Sequence, residues 1–315
     1  MYVVLDGFDL GIGILFPWVS GKEHRDIMMN SVAPVWDGNE TWMVFGAAAL
    51  YGAFPLAYST LLPVLYLPLM IMLSALIFRG VAFEFRFKAH RSRFLWDIAF
   101  SAGSGLAAFC QGLLVGTFVH GYVSVSNGLG YKVVWFTPFS IMTGIAVVFG
   151  YALLGATWLI MRTEGELQRN MYHAAKILLV CITAFIILVS LWTPFVDADI
   201  MQRWFQLPNF FYLLPLPILT AFTVLYAAYS LHRRYETAPF VMSVLLFVFS
   251  YIGFCISIWP YIIPRTTTIW QAASDSKSLA FLLIGAAILL PILIGYSIYS
   301  YYVFKGKVRA EEGYH

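Results

Sequence analysis

The sequence predicts an all-α integral membrane protein of about nine transmembrane helices, and two observations carry that prediction. Hydrophobic residues fill 61% of its 315 positions and charged residues only 11%, against roughly 25% charged in soluble globular domains. A water-soluble core of this size cannot hide so much apolar surface, whereas lipid solvates the outer faces of helices. The apolar residues also gather into runs of roughly 20, the length that crosses the hydrocarbon layer as a helix.

Nine runs are recognised, at about 1–20, 39–58, 60–79, 95–118, 137–161, 173–193, 209–231, 238–260 and 278–304. They form one polytopic unit over residues 1–315, because the loops are too short for a soluble domain. The stretch 39–79 is too long for one crossing. A turn at Tyr58-Ser59-Thr60 is predicted to divide it, since polar residues favour turns and prolines disfavour the helix before them. No positively charged leader with a small-residue cleavage site is visible, so the spans themselves are expected to direct insertion.

Charge alternates across these runs. Loops after odd-numbered spans hold Lys22, Arg25, Arg79, Arg86, Lys88, Arg91, Arg93, Arg162, Arg169, Arg233, Arg234, Lys305, Lys307 and Arg309. Loops after even-numbered spans hold only Lys132, Arg203, Arg265 and Lys277. The positive-inside rule places the N-terminus outside and the C-terminus in the cytoplasm. Trp18, Trp36, Trp42, Trp96, Trp158, Trp192 and Trp259 fall near span ends, which suits an interfacial belt.

Polar residues inside spans mark candidate sites. Asp6 and Asp9, three apart in the first span, share one helix face. Two such carboxylates suit a proton-holding site or a buried cation's partners. Equally, they suit a packing face, with Gly7, Gly11 and Gly13 allowing close helix approach. Asp37 and Glu40, within Trp36-Asp37-Gly38-Asn39-Glu40-Thr41-Trp42, read as a helix cap with a capping-box partner, as the mouth of a proton path, or as both. Arg79 closes the third span and reads as a snorkelling anchor or a functional cation. Glu84 and Lys88 would pair one turn apart on a helix.

Several chemistries have no support. His24, His90, His120, His173, His232 and His315 all lie in loops or at span ends, so no axial haem ligand projects into a bundle. The methionines within spans, Met70, Met72 and Met142, read as packing. No phosphate-binding glycine loop or zinc spacing is present, and no nucleic-acid partner is expected. Cys110, Cys181 and Cys255 sit in apolar runs and read as small hydrophobes. A secondary transporter remains the alternative, since transporters also hold acids in spans, but no matching acids occur in the second half.

Three motifs resemble subunit II of the cytochrome bd oxidases. They are Leu5-Asp6-Gly7-Phe8-Asp9-Leu10-Gly11, the run Trp36 to Trp42, and Phe78-Arg79-Gly80-Val81-Ala82-Phe83-Glu84-Phe85-Arg86. Arg162-Thr163-Glu164-Gly165-Glu166-Leu167 and Thr268-Ile269-Trp270-Gln271 fit later family loops. The resemblance implies two four-helix bundles plus one peripheral helix, in a bacterial inner membrane. It implies a heterodimer with subunit I, which carries haem b and haem d, oxidises quinol near the outer face and reduces dioxygen to water, generating a proton motive force. Small single-span accessory subunits and a bound quinone or lipid are compatible with it. On this resemblance Asp37 matches the acid of the cytoplasmic proton-entry path, and Asp6 and Asp9 match the first-span pair. The chain departs from the family in its short stretch before Asp6 and in having Gln271 where many members carry an acid.

Overall fold

The structure, a computed structural model, describes residues 1–121, 123–124, 131–132 and 135–308; Arg309 and His315 lie outside them. Its helices are α1 (Tyr2–Leu15), α2 (Lys22–Asn30), α3 (Trp36–Ala53), α4 (Pro55–Lys88), α5 (Arg93–His120), α6 (Pro138–Arg162), α7 (Gly165–Val196), α8 (Ala198–Phe205), α9 (Asn209–Leu213), α10 (Pro215–His232), α11 (Ala238–Ile258), α12 (Ile269–Ala272) and α13 (Ser276–Val303). Two small antiparallel hairpins, β1 (Val123–Ser124) with β2 (Tyr131–Lys132) and β3 (Tyr261–Ile263) with β4 (Thr267–Thr268), interrupt them. Both hairpins and the α3–α4 junction lie at one end, the hairpin end. The α4–α5, α6–α7 and α10–α11 turns and the C-terminal residues lie at the other, the arginine-rich end.

Seven helical stretches are long and apolar enough to cross a membrane: α4, α5, α6, α7, Asn209–His232, α11 and α13. Their outward faces carry large exposed hydrophobics, and α13 buries no residue at all. Within one water-soluble chain such a surface would be untenable; against lipid it is ordinary.

The other two predicted spans differ from expectation. α1 has 14 residues, followed by a 3-10 turn at Phe16–Trp18. Tyr2 meets Gln111, itself bonded to Tyr151, and these two lie about midway along α5 and α6, so α1 runs only from that level to the arginine-rich end. The predicted 1–20 span is therefore too long. α3 is long enough, at 18 residues, but polar in its first turns.

The division of 39–79 also falls elsewhere. The break is at Phe54, not at Tyr58-Ser59-Thr60. Phe54 adopts φ −136° and ψ 62°, and Pro55 opens α4. Proline excludes its predecessor from helical geometry while suiting the first position of a new helix. From there α4 runs 34 residues through Pro63 and Pro68, about 51 Å at 1.5 Å per residue. That exceeds the roughly 30 Å hydrocarbon layer. Arg79 thus lies within the helix and not at its end.

The core forms where α1 crosses α6. A side chain at Gly11 would overlap the Tyr151 carbonyl, and one at Gly155 would overlap the Gly11 backbone. Only glycine on both helices lets the backbones touch. Around this crossing Phe8 stacks on Trp158 at 4.2 Å, with Phe240 and Tyr301 edge-on. Trp158 is therefore buried; Trp42 is also buried, beside Phe45 on α3, and Trp36 is half-buried against Phe83. These three pack against other parts of the protein, whereas Trp18 and Trp259 remain exposed. Cys110 is buried and Cys181 and Cys255 half-buried; all three are free thiols.

Candidate functional site

The α1–α6 crossing draws the first-span acids into the centre of the protein. Asp6 and Asp9 are both fully buried, one turn apart on the face turned toward α3 and α4. Arg79 reaches in from α4, also fully buried, and its Nη1 donates to Asp6 Oδ1 at 2.7 Å. Its Nη2 lies 3.5 Å from Oε1 of Glu40, on α3. Asn39 of α3 donates to Asp9 Oδ2 at 2.7 Å and to the Leu5 carbonyl at 3.1 Å. Tyr301 of α13 in turn donates to Asn39 Oδ1 at 2.7 Å.

The site therefore unites Asp6, Asp9, Asn39, Glu40 and Arg79 from three sequence motifs. Its inventory is lopsided, with three carboxyl groups and one guanidinium. It is also incompletely bonded: Asp6 Oδ2, Asp9 Oδ1, Glu40 Oε1 and Arg79 Nε and Nη2 are buried without a hydrogen-bond partner. Native proteins rarely leave so many such atoms together, and where they do, a catalytic or proton-carrying role or bound water is the usual reason.

A hydrogen-bonded arm extends from the cluster into the bundle. Tyr2, one turn before Asp6 on the same helix face, accepts from Gln111 Nε2 at 2.8 Å, and the Tyr151 hydroxyl donates to Gln111 Oε1 at 2.5 Å. Sequence reading missed Tyr2, Gln111, Tyr151 and Tyr301. Gln111 was the available signal, as a primary amide within an apolar span.

Other predicted residues lie apart. Asp37 is exposed in the first turn of α3 and caps nothing. The cap position is Val35, without a side-chain bond, because residues 31–35 already turn helically into α3. The capping reading is thereby corrected. The snorkelling reading of Arg79 fails as well, since its guanidinium is buried on an ion pair. Glu84 is exposed and lies 3.5 Å from Lys88, the predicted i,i+4 pair. Trp36 stacks on Phe83 at 4.9 Å and sets the angle of α3 beside α4.

A second charge cluster, read from sequence only as loop bases, lies two helical turns further along α4. Arg86 is 1% exposed and donates to Asp26 at 2.6 Å and to Asp97 at 2.5 Å. Arg25 donates to Asp97 at 2.9 Å, and both guanidinium groups lie over the Phe16 ring. This cluster is balanced, two bases against two acids, and joins α2, α4 and α5.

Among the described residues no group of three or more His, Cys, Asp or Glu could hold a metal ion. His24, His90, His120 and His232 stand at or near helix ends, whereas His173, expected at a span end, lies more than two turns inside α7; none of them is buried. The later motifs are local structure. Gly165 takes φ +71° in the α6–α7 turn. Thr268 and Gln271 form a capping box for α12, which glutamine closes as well as an acid does.

Comparison with known proteins agrees over the whole fold. The family model for cytochrome bd terminal oxidase subunit II matches residues 1–304. Cytochrome bd ubiquinol oxidase subunit 2 of Bacillus subtilis is 30% identical, over 99% of this chain and 94% of that protein. Cytochrome bd-I ubiquinol oxidase subunit 2 of Escherichia coli is 27% identical, over 99% and 92%. A chain in the structure of the bd oxidase from Geobacillus thermodenitrificans superposes with a TM-score of 0.76 at 16% identity, covering 96% of this chain and 94% of that one, which speaks for the fold. The chain belongs to the cytochrome bd terminal oxidase subunit II family.

Proposed function

We propose that this chain is the haem-free subunit of a bd-type ubiquinol oxidase and that its buried acid cluster belongs to the route by which cytoplasmic protons reach the partner subunit. In this reading α1 and α3 join the seven long stretches to make nine membrane segments. They gather as two four-helix bundles, with α13 peripheral and the arginine-rich end in the cytoplasm. Haems b and d of subunit I would supply quinol oxidation and oxygen reduction. The described histidines, none of them buried, do not fit a haem held within this chain.

The observation that carries the proton role is the charge inventory around Arg79. Two buried carboxyl groups and half-buried Glu40 facing one guanidinium would leave two negative charges unbalanced, and an unpaired buried charge is costly enough that the group takes up a proton instead. Half-buried Glu40 stands between exposed Asp37 and buried Asp6. A proton arriving at Asp37 would pass to Glu40 and be held at the Asp6–Asp9 pair, with Arg79 fixing the carboxyl groups in place. The Tyr2–Gln111–Tyr151 arm extends the bonded chain toward the bundle centre.

The exposed face of α3 supports a heterodimer. Asp37, Val44 and Tyr51, seven apart on one face, are all exposed. A carboxyl group among apolar residues on a lipid-facing surface is unfavourable, and subunit I covering this face removes the penalty and receives the proton.

The test uses the intact oxidase. Asp37→Asn and Glu40→Gln each remove a proton carrier while keeping side-chain size. Quinol-driven oxygen uptake should fall at least tenfold with haem content unchanged. Full turnover in both variants would sink the proton role and leave a supporting subunit only.

A further inference from the structure

The hairpin end carries a cation that the oxidase role does not use. Arg203 Nη1 donates to the carbonyls of Ile256 at 3.0 Å and Ser257 at 3.1 Å, in the last turn of α11. Trp204 Nε1 donates to Ser257 Oγ at 3.0 Å. These bonds lay α8 across the end of α11, where unpaired carbonyls favour a positive charge. Arg265 at this end is neutralised by Asp197, but among the described residues no carboxylate lies within 4.0 Å of Arg203. Its Nε and Nη2 make no hydrogen bond to the described protein groups.

Arg203 stands at the head of a groove of about 310 Å³ between α8, α9 and α11, lined with Asn209, Tyr212, Leu213, Cys255 and Trp259. Tyr212 and Trp259 are exposed aromatic residues of the type that sits at headgroup depth. α8 itself buries Ile200 while exposing Gln202 and Phe205, as a helix lying along the interface does. A two-nitrogen edge of guanidinium above a carbon-lined groove is complementary to a phosphate diester with an apolar tail. A neutral quinone ring would leave that charge unanswered.

We propose that this groove binds one anionic phospholipid, its phosphate on Arg203 and an acyl chain along Leu213 and Cys255. The lipid would seal the cleft between α8 and α11 on the face away from the buried acid cluster.

The test is native mass spectrometry of the intact oxidase, purified gently from its membrane. Three variants are compared with the parent: Arg203→Ala, which removes the cation; Cys255→Phe, which fills the groove and leaves Arg203; and Lys277→Ala, which removes another exposed base at the same end. The parent and Lys277→Ala should retain one phospholipid more than the other two. Phosphatidylglycerol added to delipidated parent should restore it at least tenfold better than phosphatidylcholine. Equal lipid counts in all four proteins would overturn the proposal. So would retention by Cys255→Phe alone, loss in Lys277→Ala, no preference between the two lipids, or loss of a quinone or polypeptide mass instead. Should Arg203→Ala not assemble, the Cys255→Phe count and the lipid preference decide.

Discussion

Arg79 and Arg86 stand on the same helix, two turns apart, both buried and both ion-paired, yet their surroundings differ in kind. Arg86 meets Asp26 and Asp97 with Arg25 alongside, so charge is balanced, and none of its buried side-chain atoms lacks a partner. Arg79 meets Asp6 and Glu40 with Asp9 close by, so acids outnumber bases, and five buried atoms in this group lack partners. The lesson is that burying an arginine does not define a role; the balance and satisfaction of its surroundings do. A saturated, neutral cluster is what a fold needs to fix α2, α4 and α5. An unsaturated acidic one is poorly suited to stability alone and well suited to taking up and releasing protons.

This contrast can be broken experimentally. The largest expected effect is from Arg79→Met, which leaves buried Asp6 and Asp9 and half-buried Glu40 without a cation. Removing one partner of a buried pair costs about 3–5 kcal/mol, so the assembled oxidase should be recovered poorly, with a much lower thermal midpoint. A variant as stable as the parent would mean that the acids are neutral and Arg79 dispensable. Arg86→Met should cost less, about 2 kcal/mol, because Asp26 and Asp97 retain 17% and 14% exposure to solvent. Its turnover per assembled, haem-replete complex should be unchanged; a fall in turnover would erase the distinction between the clusters.

Tyr301→Phe sharpens the contrast at the edge of the acidic cluster. It removes the bond to Asn39 but keeps the ring against Phe8 and Trp158. A loss of about 1 kcal/mol is expected, read as faster proteolytic release of α13. Unchanged release would show that α13 is held at its ends alone.

The smallest effect belongs to a pair outside the membrane. Hydrogen bonds from Lys307 and Gln168 hold the Glu236 carboxyl below the ordinary carboxylate range. A lowered folded value means the contribution is complete above about 4.5, the ordinary value, and fades as pH falls through the lowered one. Glu236 is about half exposed, so solvent screening limits the contribution to a few tenths of a kcal/mol. The thermal midpoint difference between the parent and Glu236→Gln should be flat from pH 7 to 5 and shrink below about 4.5; a difference growing toward acid would reverse the assignment.

Much of this was legible in the amino-acid order, because bilayer chemistry is written in composition. Apolar runs and the bias of bases to alternate loops follow from solvation and backbone geometry acting locally. So does the pairing of Glu84 with Lys88. The motifs carrying Asp6, Asp9, Glu40 and Arg79 were also recognisable as polar residues out of place. What the order of residues left open is which of these meet. Arg79 looked like a terminal anchor because its helix was cut too short, and Asp37 looked like a cap because the turn before it is invisible in one dimension. Arg86 was counted among loop bases because Asp26 and Asp97 lie 60 residues before and 11 after it. The Gly11–Gly155 contact, which sets how closely α1 and α6 approach, together with the cover of α3 and α4, places two acids of the first span in the interior. Local chemistry chose the helices and the membrane; the burial of charge, which depends on every neighbour at once, was decided by the tertiary structure.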